Sequence, residues 1–248
     1  MNILITGGRS DIAQELVHAY SQQGHTLWVS SSSDEGLEKM KKTYQEKKLS
    51  AQFVKFNFKD PSDHTLHSFL GEKNLVVILN SFTRLPPLRK IHEYKSDKIQ
   101  NEFQQNIFGN TMLVHHILPP MIEQNFGRII LISSVSVENG TTKYPTYVMG
   151  KMALEGLMKN IAVDYGENNI MANTVRLGIF NTSRTSKYTQ DEKFKEAYQN
   201  IIPNGKIGDT SQIPNALMPL MDKNQYINGA VLNISGGLPM TKTQGILK

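Results

Sequence analysis

The chain has 248 residues, enough for one large α/β domain or two small ones and for a buried core without disulfide or metal support. It contains no cysteine, which excludes disulfides, thiolate metal sites and a cysteine nucleophile. The net charge of +5 comes from scattered lysines, so it favours attraction of an anionic small molecule over a nucleic-acid partner. The first residues lack a signal-peptide pattern and no run approaches the ~18 apolar residues of a membrane span, so we expect a cytoplasmic protein without a membrane partner.

Apolar runs alternate with amphipathic segments along the chain. In chain order we predict strands over 3–6, 26–30, 53–58, 75–79, 128–133, 172–176 and 230–234, and helices over 12–22, 37–48, 96–125 and 147–165. This alternation predicts an α/β fold of the Rossmann-like, doubly wound type, with a seven-stranded parallel sheet and helices on both faces. In such a sheet the ligand site is expected at the carboxyl ends of the strands.

The organisation along the chain is simple. No linker, repeat or low-complexity segment divides it, so residues 1–248 are predicted to form one domain. Pro119 and Pro120 are expected to bend or interrupt the helix over 96–125.

A glycine-rich turn joins the first strand to the first helix. It reads Thr6-Gly7-Gly8-Arg9-Ser10-Asp11-Ile12-Ala13. Backbone N–H groups in such a turn, together with the helix N-terminus, can bind a pyrophosphate. Other interpretations stay open: a plain tight turn at Gly7-Gly8, a helix N-cap at Asp11, and a surface position or a phosphate contact for Arg9.

A tyrosine and a lysine are spaced for a shared helix face. Tyr147 and Lys151 lie four residues apart in a predicted helix, and Ser134 follows the fifth predicted strand. An ammonium beside a phenol lowers the pKa of the phenol, which then donates a proton more readily near neutral pH. Taken alone, such a pair is usually an ordinary surface pair, so its interpretation depends on the rest of the pattern.

In the order and spacing of these motifs, the sequence resembles the short-chain dehydrogenase/reductase family, in a single-domain branch similar to the 3-oxoacyl-carrier-protein reductases. The resemblance extends over residues 3–240 and includes Leu79-Asn80-Ser81-Phe82, Leu177-Gly178-Ile179-Phe180-Asn181-Thr182 and Ser235-Gly236-Gly237. It implies the catalytic residues Asn106, Ser134, Tyr147 and Lys151. The implied cofactor-binding residues are Gly7, Arg9, Ser10, Asp11, Ile12, Ser31, Ser32, Asn57, Phe58, Asn80, Ser81, Tyr147, Lys151, Gly178, Ile179 and Thr182.

The resemblance also implies a role for each catalytic residue. Tyr147 is the general acid in reduction, and Lys151 lowers the pKa of Tyr147 and holds the nicotinamide ribose. Ser134 polarises the carbonyl group of the substrate. Asn106 breaks local helix bonding to hold a water of the proton relay. No metal is implied.

Four positions depart from the family pattern. Asp11 and Ala13 replace glycines of the turn, Phe82 replaces another glycine and Leu177 replaces a proline. The segment from 60 to 75 is short, so we expect a trimmed third helix.

The end of the second strand indicates the choice of cofactor. NAD enzymes place an acid there for the ribose 2′-hydroxyl, whereas this chain has Ser31 and Ser32, with no acid before Asp34. Together with Arg9, these hydroxyls predict a preference for NADPH, with NADH possible.

The substrate is expected to be a small-molecule carbonyl compound. The candidates are a 3-oxoacyl intermediate, with or without its carrier, and a specialised biosynthetic ketone. Of two basic positions that dock the acidic carrier in the resembling group, Arg128 fills one and Asn168 stands at the other.

A substrate lid is predicted over 183–202. It carries Tyr188, Phe194 and Tyr198, which either line an apolar pocket or pack the lid helix. The family commonly assembles through the two long helices, here 96–125 and 147–165, so we expect a homotetramer or homodimer, although a core-facing stripe gives the same apolar pattern.

Two other functions are alternatives to that of a carbonyl reductase. A non-catalytic dinucleotide sensor or scaffold would explain the altered glycine turn, and a lyase or epimerase of the same fold would retain its cofactor. The four filled catalytic positions favour an enzyme that reduces a carbonyl group.

Overall fold

The structure, a computed structural model, describes residues 1–82 and 88–240, without the side chains of Lys187 and Tyr188, so the predicted lid residue Tyr188 lies outside the described residues. The strands are β1 (Asn2–Ile5), β2 (Thr26–Ser31), β3 (Gln52–Lys55), β4 (Leu75–Leu79), β5 (Gly127–Ser134), β6 (Ile170–Leu177), β7 (Phe180–Asn181), β8 (Gly208–Asp209) and β9 (Val231–Ile234). The helices are α1 (Asp11–Ser21), α2 (Asp34–Glu46), α3 (His67–Leu70), α4 (Ser96–Phe103), α5 (Gly109–Glu123), α6 (Ser136–Asn139), α7 (Pro145–Asp164), α8 (Ser186–Thr189), α9 (Glu192–Ile201) and α10 (Ile213–Met221). A π-helical segment, Gln104–Phe108, joins α4 to α5.

Seven strands form one parallel sheet in the order β3-β2-β1-β4-β5-β6-β9. The chain runs outward from β1 to β3 and then returns to β4 beside β1, so the strand order reverses between β1 and β4. Ligands of doubly wound sheets bind at such a reversal, outside the carboxyl ends of the strands. The predicted fold class is confirmed.

The sheet separates two apolar cores. Successive side chains of a strand point to opposite faces, and in β1 Leu4 joins one core while Ile3 and Ile5 join the other. All residues of β4 are buried, as a strand covered by helices on both faces requires. In the part of the chain that the structure describes, no helix is long and apolar enough to cross a membrane.

The long helix is interrupted, but not at its prolines. Helix α5 continues through Pro119 and Pro120, so the expected interruption at that point is wrong. The regular hydrogen bonding breaks instead in the π-helical segment around Asn106. The side-chain amide of Asn110 donates to the Asn106 carbonyl at 2.8 Å, whereas a regular α-helix would use the main-chain N–H of residue 110.

The region between β6 and β9 contains elements that the sequence did not predict. Strands β7 and β8 form a separate two-stranded sheet, and α10 packs on α1, where the Tyr20 hydroxyl donates to the Pro214 carbonyl at 2.9 Å. The third helix is trimmed as predicted, since α3 has only 4 residues.

The position predicted to help dock a carrier protein is buried. Arg128 is 0% exposed. Its guanidinium donates to the carbonyls of Asn169 at 2.8 Å, Lys223 at 3.1 Å and Asp222 at 3.2 Å, and it lies over the Phe126 ring. Arg128 therefore ties the start of β5 to the segment after α10, and its predicted role as a docking surface is wrong.

Gly109 offers a test of how closely α5 approaches the end of β3. A Cβ atom at 109 would lie 2.4 Å from the Phe58 carbonyl oxygen, whereas one at Gly71 would lie at an ordinary 3.6 Å from its nearest neighbour. We expect Gly109→Ala to lower the free energy of unfolding by about 1–3 kcal/mol through overpacking. The control Gly71→Ala should change it by less than about 0.5 kcal/mol. Denaturant unfolding measures both, and a Gly109→Ala variant as stable as the wild type would contradict the close approach.

Candidate active site

The glycine-rich turn between β1 and α1 lies at the reversal of strand order. Gly7 has φ +67°, a left-handed conformation that favours glycine, and its α-carbon faces the backbone of Ser81. Ser10 caps α1 by accepting a hydrogen bond from the Ala13 N–H at 3.1 Å. The turn therefore presents the N-terminus of α1 to the crevice, as an anion-binding turn requires.

The loop after β4 braces this turn. The Thr6 hydroxyl accepts from the N–H groups of Asn80 at 2.9 Å and Ser81 at 2.7 Å. The Asn80 side chain donates in turn to the Ser10 hydroxyl at 2.8 Å and to the Thr6 carbonyl at 3.2 Å. Asn80 and Ser81 thus lie beside the turn, as the sequence predicted.

Asp11 crosses the crevice and does not cap α1, so the interpretation of Asp11 as the N-cap is wrong. Its carboxylate accepts from the Ser183 N–H at 2.8 Å and the Ser183 hydroxyl at 2.6 Å. The contact joins the phosphate turn to the first residue of the predicted lid. Two hydrogen-bond donors therefore contact the Asp11 carboxylate, and they reduce the repulsion between this carboxylate and an anion bound at the turn.

The residues predicted to select the cofactor surround the end of β2. Arg9 and Ser32 are exposed, and Ser31 is buried against Gly36. The Lys39 ammonium and, to a smaller extent, Arg9 lower the pKa of Glu35, which places Arg9 near the N-terminus of α2.

The implied cofactor-binding residues Asn57 and Phe58 differ in their surroundings. Asn57 accepts from the Lys59 N–H at 3.1 Å and lies 3.4 Å from the Asp63 carboxylate. Phe58 is buried and packs edge-on against Phe56. The Phe58 side chain is therefore part of the core, and only its backbone remains as a possible cofactor contact.

The predicted catalytic residues converge at the carboxyl end of β5. Ser134 ends β5, and its hydroxyl lies near enough to Tyr147, in the first turn of α7, to act on the pKa of that phenol. Lys151, one turn later, is 4% exposed, and its ammonium donates to the Ile132 carbonyl at 2.7 Å. This burial excludes an ordinary surface pair.

The surroundings of the pair shift both pKa values. Burial raises the pKa of the Tyr147 phenol, against which the nearby Ser134 hydroxyl and the charge of Arg184 act. Burial, assisted by Arg184, lowers the pKa of Lys151 to about 7, while Glu155 acts in the opposite direction. The effect of Lys151 on the pKa of the Tyr147 phenol stays a prediction.

Asn106 lies beside this pair, in the π-helical segment. It is buried, and its β-carbon is 3.9 Å from the position of a Cβ at Gly150, next to Lys151. The break in helix bonding is confirmed, while the role of Asn106 in a proton relay stays a prediction. Asn110, which the sequence analysis missed, donates to the Asn106 carbonyl, and its own Oδ1 is buried without a hydrogen-bond partner among the described residues.

An aromatic ring forms the wall of the site next to Lys151. The Phe82 ring centroid lies 4.2 Å from the Lys151 ammonium nitrogen and 5.2 Å from the Tyr147 ring. Gly150 makes room for it, since a Cβ there would lie 2.9 Å from Cζ of Phe82. The replacement of glycine by Phe82 was visible in the sequence, but its contact with Lys151 was not.

The segment after β6 completes the rim of the crevice. Gly178 and Ile179 follow β6, and the Ile179 carbonyl accepts from the Gly208 N–H at 2.9 Å. The Thr182 hydroxyl lies 2.9 Å from that of Thr185. In α9 the Phe194 and Tyr198 rings lie 6.4 Å apart, and Phe194 is 47% exposed.

These residues fit a nicotinamide dinucleotide. The left-handed Gly7, the capped N-terminus of α1 and the donors that meet the Asp11 charge are compatible with a pyrophosphate. The Tyr147 hydroxyl and the Lys151 ammonium lie at the other end of the crevice, where a reactive ring and its ribose would be held.

Comparisons with known proteins agree with this geometry. The family model described as enoyl-(acyl carrier protein) reductase matches residues 7–239. The chain is 27% identical over 241 residues to the 3-oxoacyl-[acyl-carrier-protein] reductase FabG of Thermotoga maritima, covering 95% of this chain and 96% of the relative. It is 26% identical over 242 residues to the L-rhamnose 1-dehydrogenase (NADP(+)) of Thermoplasma acidophilum, covering 96% and 95%.

A solved structure shows the same architecture. The structure of ElxO with NADP bound aligns with a TM-score of 0.82 at 25% identity, covering 95% of this chain and 97% of ElxO. With the motif order, the fold and the family model in agreement, the chain belongs to the short-chain dehydrogenase/reductase family and is an NAD(P)-dependent oxidoreductase that acts on CH–OH and C=O groups.

Proposed function

We propose that this enzyme uses NADPH to reduce the ketone group of a small molecule to an alcohol. The observation that carries the proposal is the convergence of Ser134, Tyr147 and Lys151 at the end of β5, beside the turn that leads into α1. A binding-only protein has no use for a buried ammonium one helical turn from a phenol.

The side chains suit proton donation to a carbonyl oxygen. The glycine-rich turn and Lys151 would hold NADPH, which would supply the hydride. A tyrosine phenol is protonated at neutral pH, so Tyr147 can act as the general acid that donates a proton to the carbonyl oxygen. The Ser134 hydroxyl lies near Tyr147 and is proposed to bind the same carbonyl oxygen.

Arg9, Ser31 and Ser32 support the preference for NADPH over NADH. An exposed guanidinium beside hydroxyl groups suits a 2′-phosphate, which it can bind through two parallel hydrogen bonds. The Thermoplasma relative is named for NADP(+), and ElxO was solved with NADP bound.

The substrate proposal favours a free carbonyl compound over a carrier-bound one. The relatives include a 3-oxoacyl-carrier-protein reductase and a sugar dehydrogenase. The burial of Arg128 removes the one basic docking position that the sequence offered. Exposed Arg184, whose charge acts on both Tyr147 and Lys151, favours substrates with an anionic group. We further propose that residues 183–202 act as the substrate lid of a single domain.

We also propose a homotetramer or homodimer assembled through α5 and α7. Met149, Met152 and Val163 form an exposed stripe at helical spacing on α7, separate from the buried stripe of Leu154, Met158 and Ile161. A groove of about 310 Å³ between α5 and α7 continues this surface. A second copy of the chain would cover the exposed stripe, which the core does not use.

The general acid can be tested by Tyr147→Phe, which removes the proton donor and keeps the ring. We expect ketone reduction to fall at least about 100-fold, with NADPH binding, followed by fluorescence, retained. The control Tyr144→Phe alters a ring packed 5.9 Å from Tyr147 and should keep most of the turnover. Substantial reduction by Tyr147→Phe would refute the assigned proton donor.

The cofactor preference can be tested by Arg9→Ala. Loss of a charge-assisted contact should raise the Michaelis constant for NADPH about tenfold or more, and leave that for NADH nearly unchanged. Steady-state kinetics with both cofactors make the comparison within one variant. An equal effect on the two cofactors would show that Arg9 does not contact the 2′-phosphate.

The assembly can be tested by Met152→Glu combined with Val163→Glu. Charges in an apolar interface are costly, so light scattering coupled to gel filtration should show a lower mass than for the wild type. Phe194→Glu, which places a charge on α9 instead, should keep the wild-type mass. A monomeric wild type would contradict the proposed assembly.

A further inference from the structure

A buried carboxylate lies one helical turn beyond Lys151. Glu155 is 6% exposed, and both of its oxygens are bonded. Oε1 accepts from the Ser133 hydroxyl at 2.6 Å and from Arg176 Nε at 3.0 Å, and Oε2 accepts from Arg176 Nη2 at 2.7 Å. Ser133 precedes Ser134, and Arg176 lies two residues before Gly178, so both partners of Glu155 connect to the rim of the site.

Arg176 extends this network to the surface. It also pairs with Glu138 of α6 at 2.9 Å, and Glu138 is an exposed residue just beyond Ser134. Arg176 therefore joins two acids, of which only Glu155 is buried and shares a helix with Lys151. Glu155 and Glu138 therefore allow a buried and an exposed partner of the Arg176 guanidinium to be compared.

The other neighbours of Lys151 do not neutralise its charge. They are the Ile132 carbonyl and the face of the Phe82 ring. The charged and titratable groups that face Lys151 are Tyr147 and Glu155 on α7 and Arg184 after β7, with Arg176 of β6 and Glu138 of α6 behind Glu155. Glu155 follows Lys151 by one helical turn and is the acid whose charge acts on Lys151. A buried ammonium is costly without a countercharge.

We propose that Glu155 is a positioning residue that supplies the negative charge for Lys151 and holds the ends of β5 and β6 against α7. The inference rests on the proposed function in one respect, namely that catalysis requires a charged Lys151. Arg176 has two effects: it fixes the carboxylate in place and it competes with Lys151 for its charge.

The direct test is an NMR titration of Lys151 in the full chain, with ¹³C-labelled lysine and a Lys151→Arg spectrum to assign the resonance. Glu155→Gln removes the charge at nearly constant shape, so Lys151 should lose its proton at a pH lower by about one unit. The pH at which kcat falls as pH rises should move the same way. The matched control Glu138→Gln removes the exposed partner of Arg176 and should leave the pH midpoint of the Lys151 titration unchanged.

Two further variants keep the test decisive if Glu155→Gln folds poorly. Glu155→Asp retains the charge and should keep the titration near that of the wild type. Arg176→Gln removes the competing cation and should move the Lys151 midpoint to higher pH.

An unchanged Lys151 titration in folded Glu155→Gln, or in Arg176→Gln, would overturn the proposal. A shifted titration in a protein that reduces no ketone would support the role of Glu155 and refute the proposed function instead.

Discussion

The hydrogen bond from Lys151 to the Ile132 carbonyl is the contact around which the site is organised. It places the ammonium of a buried lysine from α7 at the carboxyl end of β5. Every neighbour must then tolerate a buried charge: Phe82 presents its ring face, Gly150 leaves room for that ring, and Glu155 provides an opposite charge. The low pKa of Lys151 and the high pKa of Tyr147 both follow from this burial.

The helix opposite α7 is irregular where it borders the site. In its π-helical segment the Asn106 carbonyl accepts a hydrogen bond from the side-chain amide of Asn110. Such segments are frequent at functional sites. Asn106 lies beside Gly150, so the irregular segment is next to the helix that carries Tyr147 and Lys151.

A second contact joins the start of α1 to the segment after β7. Asp11 replaces a small residue of the phosphate turn, and its carboxylate binds Ser183. The glycine-rich turn and the start of the predicted lid are therefore linked by contacts within the protein itself. This contact explains how the turn accommodates an acid, since two hydrogen bonds meet the charge that would otherwise face a pyrophosphate.

The alternation of strands and helices was predictable because buried parallel strands such as Leu75–Leu79 are continuous apolar runs. The grouping of Ser134, Tyr147 and Lys151 was predictable too, since their spacing places them at one end of the sheet. The sequence did not predict β7 and β8, because each has only two residues, too few to show an apolar pattern. The roles of Asp11 and Arg128 and the surroundings of Lys151 were decided only by the tertiary structure, because their partners Ser183, Lys223 and Phe82 are distant along the chain.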